Sequence, residues 1–106
     1  MNQEIPFDMS ISVPYENKKY HVFFWFGNPI SQCVIREATS RYLCSYGISV
    51  RKNGDKYSPE KAARYALASA LRKSNFSKAE KKAIWDAFFS FTPYRKEFDH
   101  VQKETA

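Results

Sequence analysis

The side chains best suited to chemistry in this chain are cationic and aromatic. Between Arg51 and Lys82 there are ten basic residues and three acidic ones, so this segment carries the whole +6 net charge and the rest of the chain is close to neutral. On a helix, Lys61, Arg64, Ala68 and Arg72 share one stripe, opposite Ala63, Ala66, Leu67 and Ala70, with Tyr65 beside it. Guanidinium groups grip phosphate oxygens in pairs, and Tyr65 or Tyr57 offers a flat surface to a base. The expected ligand of this stripe is therefore an anion, either a nucleotide or a nucleic acid. The same stripe is also what any solvated helix face carries. Arg36 and Arg41 join the site if the strand ends that bear them lie near the helix. Lys81 and Lys82 fall at the start of a second helix, where cations oppose the helix dipole, and this too points to a partner.

Groups that could make or break bonds are few. His21 and His100 have no Ser, Cys or carboxylate at a spacing that marks a triad. Cys33, Cys44, His21 and His100 lack the C-x-x-C and H-x₃₋₅-H spacings of zinc sites, so no metal is expected. The two cysteines read as small buried apolar side chains rather than a redox pair. No Gly-rich phosphate loop of either nucleotide-binding type occurs, and no cofactor is expected. The chain reads as a binder, not an enzyme.

The elements that position these residues follow from periodicity. With 106 residues, 43% hydrophobic and 17% aromatic, the chain is expected to fold as one globular domain over 1–106. Phe7, Met9, Ile11 and Val13 alternate with polar residues as a strand, and Pro6 and Pro14 mark it as an edge. A second strand, Lys19 to Phe26, sets Tyr20, Val22, Phe24 and Phe26 on one face and His21, Phe23 and Trp25 on the other. Ile30 to Glu37 forms a third strand, and Tyr42, Cys44, Tyr46, Ile48 and Val50 alternate as a fourth. With Ala38-Thr39 as the hairpin centre, Cys33 faces Cys44, Ile35 faces Tyr42 and Arg36 faces Arg41. Two opposed arginines repel unless an anion bridges them. The favoured alternative ends the ladder at Ile35 and leaves both arginines in a wider turn.

After the turn signal Lys52-Asn53-Gly54-Asp55 the period becomes helical. Ser58 caps a helix over 59–73 with Pro59 in its first turn, and Ser77-Lys78-Ala79-Glu80 opens a second over 78–91 with a capping box. Thr92-Pro93 starts a possible short third helix over 93–103, docked by Tyr94, Phe98 and Val101. The expected fold is α+β: a four-stranded antiparallel β-meander over 5–50 followed by two or three α-helices packed on one face. With helices on one face, Phe23 and Trp25 are left on the other, and a homodimer is the expected way to cover them. The N-terminus shows no signal peptide and no apolar run reaches membrane-spanning length, so the expected compartment is the cytoplasm, with no membrane partner.

Asp55-Lys56-Tyr57-Ser58 followed by Ala63-Arg64-Tyr65-Ala66-Leu67-Ala68-Ser69-Ala70-Leu71 resembles a pattern in small phage-encoded proteins. In that pattern Asp-x-Phe/Tyr-Ser/Asn precedes a small residue, Arg and Ala-Leu-x-x-Ala-Leu. The second helix, Lys81-Lys82-Ala83-Ile84-Trp85-Asp86-Ala87-Phe88, extends the likeness over about 35 residues. Strands followed by two helices are similar to the phage anti-Thoeris sponge proteins, which bind a cyclic ADP-ribose-type immune signal without cleaving it. The chain departs from the pattern at Ala63, where Gly is usual, and at Lys81, where Arg is usual. The resemblance implies a non-enzymatic, phage-type inhibitor of bacterial antiviral defence that acts in the host cytoplasm. Arg64 and Arg72 would then meet phosphates, and Tyr57 or Tyr65 the base. The alternative is an anti-CRISPR-type inhibitor that binds a Cas effector or its nucleic acid, or another small basic nucleic-acid-binding protein. The partner is then a bacterial defence protein or a polynucleotide.

Overall fold

A computed structural model describes residues 8–52, 54, 56 and 58–91. Four strands, β1 (Met9–Tyr15), β2 (Lys18–Trp25), β3 (Ile30–Glu37) and β4 (Leu43–Val50), precede two helices, α1 (Pro59–Lys73) and α2 (Lys78–Ser90). The strands pair antiparallel in the order β1-β2-β3-β4, so β1 is an edge, as Pro14 requires. The fold is α+β, with α1 over β3 and β4 and α2 over β1. Phe7, Asn53, Asp55, Tyr57, and the expected third helix with Tyr94, Phe98 and Val101, lie outside the described residues. Among the described residues no helix is long and apolar enough to cross a membrane.

Each helix begins where its side chains can satisfy the free N–H groups of a first turn. The Ser58 hydroxyl accepts from the Lys61 N–H, and Pro59 occupies the first turn. The Ser77 hydroxyl accepts from the Glu80 N–H while the Glu80 carboxylate accepts from the Ser77 N–H. The buried faces are Ala63, Ala66, Leu67, Ala70 and Leu71 on α1, and Ile84 and Phe88 on α2. They meet Val13, Val22, Phe24, Cys33 and Ile35 of the sheet. Phe24 and Phe88 pack with ring centroids 5.8 Å apart.

The hairpin register differs from both readings of the sequence. Cys33 faces Gly47, Ile35 faces Ser45 and Arg36 faces Leu43, with an irregularity between Ile35 and Arg36 that leaves Cys44 as the extra residue. The turn is closed by the Glu37 N–H donating to Tyr42 O and the Arg41 N–H donating to Glu37 O, with Arg41 in the left-handed region at φ 61°. The ladder thus runs past Ile35, and the two cysteines are not cross-strand neighbours.

The register also decides which way β4 faces. Its inward residues are Ser45, Gly47 and Ser49, while Tyr46, Ile48 and Val50 point outward. A Cβ on Gly47 would sit 2.3 Å from Ala70 N and 2.4 Å from Ala66 O, so only glycine fits under the helix. The Ser45 hydroxyl donates to Ala70 O at 2.6 Å and the Ser49 hydroxyl to Ala62 O at 2.9 Å. Two strand residues advance about 6.6 Å and four helix residues about 6 Å, so the small residues of β4 meet α1 turn by turn. The alternating apolar series of β4 marks the outer face, not the core.

Candidate anion-binding site

The turn after β2, the end of β4 and the start of α1 enclose a cavity of about 210 Å³. Among the described residues that line it, the cations are Arg51, Lys56 and Lys61 and none is acidic. Gly27, Pro29 and Ser31 make one wall, and Gly27 allows that turn to close, because a Cβ there would stand 2.3 Å from Ile30 O. Arg51 is held by its Nε–H donating to Asn28 Oδ1 at 2.8 Å and its N–H donating to Pro29 O. Lys61 comes from the first turn of α1, where the dipole adds positive potential. Tyr65, 55% exposed, stands one helical turn further along at the rim. Three cations and a helix N-terminus around one concavity form a cradle for a phosphate.

The three serine hydroxyls that line the cavity are already committed to the fold. Ser31 accepts from the Gly27 N–H at 3.1 Å, Ser49 donates to Ala62 O, and Ser58 caps α1. None is held as a nucleophile beside a base.

Of the residues singled out by sequence, Lys61 and Tyr65 line this cavity. Arg64 does not. It lies on the flank of the buried stripe, its side chain 18% exposed, and pairs with the buried Glu60 one turn earlier at 3.8 Å. Its guanidinium also sits 5.4 Å from the centroid of the Tyr65 ring. Arg72 is exposed in the last turn of α1, about 16 Å along the axis from Lys61. Arg36 and Arg41 come together with each other but not with α1. They border a second cavity of about 180 Å³ with His21 and Phe23, on the face of the sheet that the helices leave open. Lys82 is tied to Asp86 at 2.8 Å on the exposed side of α2. Sequence reasoning missed Arg51 and Lys56. Both fall in the basic segment, immediately before the Ser58 cap, and that adjacency was the available signal.

Compared with protein-family models, curated proteins and solved structures, the chain matches none of them.

Cys33, Cys44 and the Tyr20–Glu80 pair are titratable groups built into the fold. Cys33 is fully buried and burial pushes its thiol pKa well up, so it stays a neutral packing group. Burial and the nearby Glu37 charge also raise that of Cys44. His21 projects from the open face and Cys33 from the helix-covered face, so the two cannot share a ligand. The Tyr20 hydroxyl donates to Glu80 Oε2 at 2.7 Å, linking β2 to the start of α2.

Proposed function

We propose that this protein is a non-catalytic binder of a small phosphorylated ligand, held in the cavity at the start of α1. The observation that carries this reading is the convergence of Arg51, Lys56 and Lys61 on a concavity where none of the described lining residues is a carboxylate. A cavity of about 210 Å³ suits a phosphate and the sugar next to it better than a whole nucleotide. A base would extend past the rim, where Tyr65 offers its ring. The committed serine hydroxyls favour holding the ligand over cleaving it.

The likeness of the α1 segment to anti-Thoeris sponge proteins supplies the biological side of the proposal. The protein would sequester a cyclic nucleotide immune signal for a phage, in proportion to its own amount. Titration calorimetry with cyclic ADP-ribose tests this, followed by heat release and chromatography of the ligand. The expected result is one ligand per site, recovered intact. Lys61→Gln and Arg51→Gln should each weaken binding about tenfold or more, the usual cost of a charged hydrogen bond. Recovery of a cleaved ligand, or no heat of binding, would sink the proposal.

A further inference from the structure

Arg51 enters the cavity from the end of the β3–β4 ladder, and the turn across from it determines how it sits. Val50 pairs with Ile30, so the chain at Arg51 runs beside the turn between β2 and β3. The Arg51 N–H donates to Pro29 O at 2.8 Å and fixes the backbone, while its Nε–H donates to Asn28 Oδ1 at 2.8 Å and fixes the side chain. The turn is braced in its own right. The Phe26 N–H donates to the Asp8 carboxylate at 2.6 Å. The Ser31 hydroxyl accepts from the Gly27 N–H at 3.1 Å and donates to Gly27 O at 3.3 Å. Gly27 and Pro29 line the cavity, but Asn28 between them does not. Asn28 therefore acts on the cavity through Arg51.

We propose, on the reading of the cavity as a phosphate site, that Asn28 is its positioning residue and holds the Arg51 guanidinium ready for the ligand. With Nε–H committed to Asn28, a phosphate is met by the Nη donors, at the far end of the fork. A long arginine side chain loses rotamer freedom when it grips a ligand, and a hydrogen bond made beforehand removes part of that loss from the binding step. The amide does this without cancelling the charge. Glu60 has the opposite effect at Arg64, where a carboxylate 3.8 Å away offsets the guanidinium. Asn28 is exposed and belongs to no part of the apolar core, so its replacement leaves the packing of the fold in place.

Titration calorimetry with inorganic pyrophosphate, in a double-mutant cycle, tests the proposal. Asn28→Ala should weaken binding about three- to tenfold, the range of one hydrogen bond. Arg51→Lys keeps the charge but has no Nε–H, and it should weaken binding at least as much. Asn28→Ala added to Arg51→Lys should weaken it no further, because both changes remove the same contact. In proton–nitrogen spectra without ligand, the Arg51 Nε–H should exchange with water faster in Asn28→Ala than in the wild type. The melting temperatures of these two should differ by no more than about 4 °C. A purely structural Asn28 would lower the melting temperature and weaken binding equally in the Arg51→Lys background. The proposal is overturned if Asn28→Ala binds as the wild type does, if its effect persists beside Arg51→Lys, or if the Nε–H exchange is unchanged. Failure of the cavity reading itself looks different: Arg51→Gln and Lys61→Gln would then leave pyrophosphate binding unchanged.

Discussion

Tyr20 and Glu80 show how single residues join the two layers. The Tyr20 side chain is buried, and its pKa is raised by that burial and by the Glu80 carboxylate, so it remains a hydrogen-bond donor through the neutral range. The Glu80 carboxyl is held below its usual range, first by the Ser77 N–H and then by the Tyr20 hydroxyl. A depressed carboxyl stabilises the fold above its unfolded pKa of about 4.3, and that contribution disappears as pH falls through the folded value. Urea midpoints measured downward from neutral pH should therefore fall below about pH 4.5, and Glu80→Gln should flatten that acid limb. Tyr20→Phe should lower stability by about 1–2 kcal/mol, because it removes the donor to a charged acceptor. Chemical denaturation of the pair at pH 7 checks this.

At the scale of elements, the α1–β4 contact determines the most. The helix lies so close to the strand that its backbone touches Gly47, and Ser45 and Ser49 bond to its carbonyls on either side. Gly47→Ala should cost about 3 kcal/mol or more, since helix backbone rather than a yielding side chain stands in the way. Thermal melting should show this loss, and Ile48→Ala on the outer face, where the side chain is 44% exposed, should show little. Both helix starts were legible in the sequence, because a cap is a local device and Ser58-Pro59 and Ser77-x-x-Glu80 carry it whole. The hairpin register was not. A left-handed Arg41 and a bulge at Cys44 are choices the turn makes with its neighbours, and no residue type there announces them.

For the whole molecule, charge and apolar surface are separated. The basic segment from Arg51 to Lys82 lies on the helix side and its flanking turn, while the large outward apolar groups, Tyr46, Ile48 and Val50 among them, lie on the other side of the sheet. Like charges concentrated in about a third of a chain repel one another, and salt screens them over a Debye length of about 10 Å at 0.1 M. The melting temperature should therefore rise with added sodium chloride, whereas binding of any phosphorylated ligand should weaken. Melting curves and titrations over one salt series should move in opposite directions.

The order of elements, the capped helix starts, the edge position of β1 and the confinement of charge to residues 51–82 follow from the sequence by itself. Each is local, set by periodicity, by a cap or by proline's missing donor. Which basic residues act together was decided only by the tertiary structure. Strand register sends Arg36 and Arg41 to the open face, the Arg64–Glu60 pair draws Arg64 to the edge of the buried stripe, and the turn before β3 brings Arg51 to Lys61. The sequence shows that the apolar residues of β4 alternate, and the fold turns Tyr46, Ile48 and Val50 outward. Close packing explains the choice of face: where helix and strand backbones nearly touch, the small residues take the inside and the large ones are turned out.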